Sequence, residues 1–375
     1  MTDEIKAAAR RLGFDPVGVT SVDPPQHWAF YQQWLNSGYA GEMGYLARNQ
    51  ERRFDPREIV PDAKCVLCVG LNYLPGEQTP ESDGLHKGQV ARYARGDDYH
   101  DAMKGRLFDL LDAIREIEPS AQGRIYVDTG PVLERDFAAR AGLGWFGKHT
   151  CLIDKGRGSW FFLGEIILNL DLEVDGPQTD HCGTCTRCLD ACPTDAIIEP
   201  YVVDSRRCVS YLTIELKGAI PRDLRSGIGD WVFGCDICQE ACPWNRKYAQ
   251  PTQDEPFQAR EALDAPNLVD LLQMDQAAFS KKFKGSPIKR TKRRGLLRNV
   301  AVALGNIGTV SDVPVLVDAL HDSEVLIRQH AAWALGEIGG KRAKQALDRV
   351  LCNEEDVEVK NEIQLALREI AIRVS

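Results

Sequence analysis

The chain has 375 residues, 43% of them hydrophobic and 27% charged, with twelve cysteines and a formal net charge of −9. This is too long for one typical core and points to two or three domains of an ordinary globular kind. No apolar run approaches a membrane span, and the N-terminal Met1-Thr-Asp-Glu-Ile-Lys lacks both a basic-then-apolar leader and twin arginines. The chain is therefore expected in the cytoplasm with no membrane partner, where thiols stay reduced and a dozen of them imply metal ligation.

Residues 1–176 read as mixed α/β. Helical spacing covers 4–12, 28–37 and 107–117, and buried strands are expected at 65–73 and 123–128, with a further apolar segment at 160–170. Cys65 and Cys68 form a Cys-x-x-Cys, but residues i and i+3 of a strand point to opposite faces, so they are read as core thiols. Gly142-Leu-Gly144-Trp-Phe-Gly147 matches the letters of a dinucleotide fingerprint, yet it follows a helical pattern at 133–141 and opens no helix of its own. Asp128 ends a strand before Thr129-Gly130-Pro131. It either caps that turn or presents a carboxyl at the mouth of a sheet, where crowding by apolar groups would raise its pKa and make it a proton donor.

Residues 177–255 carry the strongest signal. Cys182, Cys185, Cys188 and Cys192-Pro193 have the spacing by which a ferredoxin-type loop gives three sulfurs to one [4Fe–4S] cluster and the fourth to a second. Cys208 and Cys235-Asp-Ile-Cys238-Gln-Glu-Ala-Cys242-Pro243 supply the other set. Crossed ligation then assigns Cys182, Cys185, Cys188 and Cys242 to one cluster, and Cys192, Cys208, Cys235 and Cys238 to the other. Structural zinc is a poor alternative, because a third cysteine three residues on serves no tetrahedral purpose. Cys208 sits 27 residues before Cys235, a departure from a plain ferredoxin, and the stretch between is read as helical before it turns at Gly218 and Pro221.

Residues 256–375 read as helical. Ala303-Leu-Gly-Asn-Ile-Gly308, Ala334-Leu-Gly-Glu-Ile-Gly339 and Ala366-Leu-Arg-Glu-Ile-Ala371 recur at intervals of 31 and 32, each closing a helix, as in a short HEAT-type solenoid. Residues 281–298 hold nine Lys or Arg and no acid, leaving 37 basic against 55 acidic residues elsewhere. Such a segment suits a polyanion, and on a helical arm it suits the phosphates of folded RNA. The fold class expected is α+β/α multi-domain: an N-terminal α/β domain (1–176), a ferredoxin-like domain with two [4Fe–4S] clusters (177–255) and a HEAT-like α-solenoid (256–375). In chemical terms this is an electron-fed reductase acting on a nucleic acid, the first domain being large enough for a reducible cofactor.

Motifs along nearly the whole chain resemble the epoxyqueuosine reductase family. They are Tyr126-Val-Asp-Thr-Gly-Pro131, Glu134-Arg135, Gly142-Leu-Gly-Trp-Phe-Gly-Lys148, the two cysteine sets, Ser210-Tyr-Leu-Thr-Ile-Glu215, Gly234-Cys-Asp-Ile-Cys-Gln239, Gly285-Ser-Pro-Ile-Lys-Arg290 and Gly295-Leu-Leu-Arg-Asn299. His149 departs from the Asn usual there. The resemblance implies a cobalamin enzyme, related to reductive dehalogenases, that reduces the epoxide of epoxyqueuosine in tRNA to the cyclopentene of queuosine; the chain is expected to work as a monomer. Asp98-Tyr-His100-Asp-Ala-Met103 only begins like an Asp-x-His-x-x-Gly signature, so the cobalamin is expected base-off. Matched positions place Arg53, Ala91, Tyr93, Asp128, Leu152, Leu163, Tyr211, Cys235 and Asp236 around the corrin. Asp128 would be the proton donor. Lys217, Arg290, Lys292, Arg293 and Arg298 would contact tRNA carrying epoxyqueuosine at the wobble position. An external donor of flavodoxin or ferredoxin type would reduce the cluster that includes Cys242, and electrons would pass through the other cluster to cobalt. A reductive dehalogenase of a small organic halide and an iron–sulfur electron-transfer adaptor are the other classes the residues allow.

Overall fold

A computed structural model describes residues 1–76, 86–261 and 263–374. The described residues divide into two compact units, one built from 1–76, 97–206 and 236–258, the other from 86–96, 207–235, 259–261 and 263–374.

The first unit is built on a four-stranded sheet of β1 (Val17–Ser21), β2 (Cys65–Asn72), β3 (Gly123–Tyr126) and β4 (Phe161–Leu168), in the order β1-β2-β4-β3. Every pairing is antiparallel, so the α/β expectation becomes an α+β layer. β2 is almost wholly buried because both faces of the sheet are covered, which is why it reads as a continuous apolar run rather than an alternating one. Met103 and Leu107 of helix Tyr99–Ile117 lie against Gly164 on one face. Phe137 and Ala138 of helix Glu134–Arg140 pack with Val66, Cys68 and Ile167 on the other. Cys65 and Cys68 are both buried, and burial pushes the Cys65 thiol up to about 12. β1 went unmarked in the sequence because five residues interrupted by Gly18 give little periodicity.

In the second unit, helices Lys292–Ile307, Val325–Ile338 and Val357–Val374 stack in succession. The Ala-Leu-Gly repeat marks these contacts. A Cβ on Gly305 would lie 2.5 Å from the Trp333 ring, and one on Gly336 would lie 2.7 Å from Ala366 Cβ. Glycine at that position of the repeat lets successive helices close on one another.

Candidate active site and cluster loops

Asp128 follows β3 in the left-handed backbone region, with φ of 55°. A non-glycine residue held there is uncommon, and its neighbours account for it. Its backbone N–H donates to Glu134 Oε1. Its Oδ2 accepts from the Tyr99 hydroxyl at 2.8 Å and lies 3.3 Å from His100 Nε2. His100 is 3% exposed, and its Nδ1 sits 2.8 Å from Asp98 Oδ1, the cap of helix Tyr99–Ile117. Asp98-Tyr-His100 is thus the first turn of a helix that brings a hydroxyl and an imidazole to one carboxylate. The buried Arg53 guanidinium reaches Gly130 O and Val132 O at 3.5 Å, tying the far side of the loop. Leu152 and Leu163 belong to the apolar cluster beneath it, with Val132 and Phe137.

The apolar crowding expected around Asp128 falls on two acids behind it instead. The Asp128 side chain is 57% exposed, whereas Glu165, on β4, is 0% exposed. Glu165 stands opposite Cys68 and Tyr126 in the sheet, and neither carboxyl oxygen receives a hydrogen bond from a protein N–H or O–H. Burial, then repulsion from Asp128, pushes Glu134 up to about 8, and burial with repulsion from Glu134 pushes Glu165 well above the carboxylate range. Sequence reasoning missed Glu165. Its signal was a lone acid in Phe161-Phe-Leu-Gly-Glu-Ile-Ile-Leu168.

Cys182, Cys185, Cys188 and Cys242 all lie in the first unit, and they are close enough to repel one another as thiolates. Burial, followed by the nearby Cys242, Cys182 and Cys185 sulfurs, pushes the Cys188 thiol up to about 11. Four neighbouring sulfurs, those of Cys188 and Cys242 on buried residues and those of Cys182 and Cys185 on partly buried ones, suit a cationic cluster, which reverses that penalty. The surroundings fit such a group. Lys148, nearly buried, donates to Gly183 O at 2.7 Å and Cys185 O at 2.9 Å, fixing the loop. Trp145 Nε1 is buried with no oxygen or nitrogen partner, and Trp145 packs with Cys182 and Cys242, where a sulfur can accept its hydrogen. His149 is buried with Nδ1 accepting from the Cys151 amide at 3.1 Å, and burial holds its pKa down at about 4. Of the other set, Cys192 and Cys238 lie in the first unit, Cys208 and Cys235 in the second. Asp236, next to Cys235, is buried in the first unit.

In the second unit Ala91, Tyr93, Tyr211 and Cys235 gather at the end of strand Trp231–Phe233. The Ala91 amide donates to Phe233 O at 2.8 Å, and the Tyr93 ring lies 6.1 Å from that of Phe233. Buried Tyr211 shares a helical turn with Thr213, whose hydroxyl accepts from the Gly234 amide at 3.0 Å. Gly234 has φ of 69°, and a Cβ there would fall 2.5 Å from Ala91 Cβ, so the strand end is kept small.

The basic segment divides into exposed and buried cations. Lys281, Lys282, Lys284, Lys289, Arg290 and Lys292 are exposed, as is Lys217. Arg293 is partly buried, paired with Asp322 and donating to Met274 O at 2.7 Å. Arg298 corrects the expectation of a phosphate contact. It is 1% exposed and donates inward to Leu212 O, Leu216 O and Gly218 O at 2.6–2.9 Å, so its charge is committed to the fold.

An antiparallel α+β layer with an aspartate loop, cysteine-rich loops and stacked helix pairs define an iron–sulfur protein with a helical-repeat arm. The family model for a 4Fe-4S double cluster binding domain matches residues 181–245, and that for HEAT repeats matches 291–368. Residues 53–129 match the family described as epoxyqueuosine reductase QueG, DUF1730. The epoxyqueuosine reductase of Xanthomonas campestris is 48% identical over 340 residues, covering 89% of this chain and 95% of that one. That of Escherichia coli is 42% identical over 339 residues, covering 90% and 89%. The chain belongs to the epoxyqueuosine reductase family. A crystal structure of a relative with a tRNA-Tyr epoxyqueuosine-modified stem loop superposes with a TM-score of 0.93, at 30% identity and 98% coverage of both chains. The Bacillus subtilis relative, at a TM-score of 0.90, 30% identity and 98% coverage of both chains, is described with its catalytic loop, named for an aspartate, swung out of the active site.

Proposed function

We propose that this chain reduces the epoxide of epoxyqueuosine in tRNA to the cyclopentene of queuosine, with Asp128 protonating the departing oxygen. The reaction takes two electrons and two protons and releases water. The observation that carries the reading is the Asp128 loop itself: an exposed carboxyl, held in a left-handed turn and addressed by Tyr99 and His100. Full-length relatives named for this activity support it, as does the solved relative that holds the modified stem loop.

Cys182, Cys185, Cys188 and Cys242 would hold one [4Fe–4S] cluster, and Cys192, Cys208, Cys235 and Cys238 the other. When bound, base-off cobalamin supplies the electron pair. The residues that would hold it are Arg53, Asp128, Leu152, Leu163 and Asp236 in the first unit, and Ala91, Tyr93, Tyr211 and Cys235 in the second. Ala91 packs directly on Gly234, so that strand end carries no bulky side chain of its own. Residues 1–176 act on substrate, 177–255 carry electrons from an external flavodoxin- or ferredoxin-type donor, and the basic segment with the repeats of 256–375 takes the tRNA. Phosphate contact falls to Lys217, Arg290 and Lys292, with Arg293 partly engaged by Asp322. Work on tRNA would place the chain in the cytoplasm, as a monomer; among the described residues no helix is long and apolar enough to cross a membrane.

The test is Asp128→Asn in anaerobically reconstituted protein. An alkoxide is a poor leaving group, so loss of the acid should cost about 10²–10⁴ in turnover while iron content and cobalamin binding stay at wild-type levels. Near-normal turnover would return Asp128 to a turn residue.

A further inference from the structure

Glu165 is the least explained group in the first unit. Positions 161, 163, 165 and 167 of β4 share one face, and that face packs under helix Glu134–Arg140 together with Phe137, Ala138 and Leu143. An ionised carboxylate in such a layer must be paired or hydrogen-bonded. Glu165 has neither: no N–H or O–H reaches its two buried oxygens. The polar group set most strongly against it is another carboxyl, Glu134. Two acids can meet in an apolar layer only if a proton lies between them. Glu134 Oε1 is already an acceptor, for the Asp128 amide, so the proton belongs on Glu165.

We propose that Glu165 and Glu134 share one proton beneath the Asp128 loop, and that this proton latches the loop. Glu165 donates it to Glu134, and the Glu134 carboxylate accepts the backbone N–H of Asp128. The pair are positioning residues that act on the substrate only through Asp128, so the latch rests on the reading of Asp128 as proton donor. Removing the proton leaves two adjacent negative charges below a third on Asp128. The Glu134–Glu165 contact then breaks, and Asp128 loses the partner that keeps it at positive φ. The titratable and charged groups around the pair are Asp128 on the loop, Arg135 and Arg140 on the helix, Cys65 and Cys68 on β2, Tyr126 on β3, and Tyr99 and His100 behind the carboxylate. Arg135 is turned to Thr150 O at 2.6 Å and Arg140 to Asp136 at 3.2 Å, so neither replaces the proton.

The experiment uses the full chain with its clusters. Infrared spectra at neutral pH should show the C=O band of a buried protonated carboxyl that shifts on ¹³C-glutamate labelling and is missing from Glu165→Gln. With saturating tRNA, the alkaline limb of kcat should move to higher pH in Glu165→Gln, whose amide donates the same hydrogen bond and has no proton to lose. Glu165→Leu should lower kcat on the order of 10²-fold with KM for tRNA little changed. An unaltered carboxyl band or an unshifted alkaline limb in Glu165→Gln would overturn the latch. A measurement on the wild type needs no variant to fold: protection of the Asp128 amide from hydrogen exchange, corrected for base catalysis, should fall as pH rises above the ordinary carboxylate range. Protection that is flat across that range would also overturn it. Turnover by Asp128→Asn would defeat the functional reading and leave the band and the exchange profile standing.

Discussion

Glu134 and Glu165 place an unusual sign on stability. Most carboxylates stabilise a fold as they ionise; these two are pushed up by burial, so the folded chain keeps a proton that the unfolded chain releases. Above the ordinary value of 4.5, over the range to which burial raises the pair, the folded state binds more protons than the unfolded state, and stability falls as pH rises through that window. The Glu165→Gln variant keeps the hydrogen bond and cannot ionise. Its stability relative to wild type in urea unfolding should therefore increase with pH across the window. A constant difference would mean that the pair carries no extra proton. Asp128 itself was legible as an acid at a strand end. Its partners were not, because Tyr99, His100 and Glu165 meet it only through the turn of one helix and the pairing of β3 with β4.

At the level of elements, the repeat arm was the easiest to read and the basic segment the most misleading. The Ala-Leu-Gly period reports a packing requirement, so it survives in the sequence as a pattern. Charge has no such period. Arg298 and Lys292 look alike in the sequence, yet one feeds three backbone carbonyls in the interior and the other is exposed. Replacing Lys289, Arg290 and Lys292 by Glu should weaken tRNA binding. It should also reduce the slope of log K against log salt by roughly 0.7–0.9 for each phosphate that is no longer neutralised. The slope should stay at its wild-type value if this face never meets RNA. The cysteine loops were legible because ligand spacing is local. That Cys242 comes near Cys182, Cys185 and Cys188 could be expected only from the crossing of ferredoxin-type loops.

For the molecule as a whole, purification under argon should yield about eight irons per chain, and Cys242→Ser about four, with helical content unchanged. A single zinc, or iron unaffected by Cys242→Ser, would end the two-cluster assignment. The course of the chain carries one more consequence. It enters and leaves the second unit repeatedly, so residues 86–96 and 207–235 fold with 259–375 rather than with their sequence neighbours. A gene cut after residue 258 would strand both segments, and the strand end that holds Ala91 and Gly234 with them. Such a cut should therefore cost more than the repeats themselves, because 86–96 and 207–235 would lose the residues they pack with.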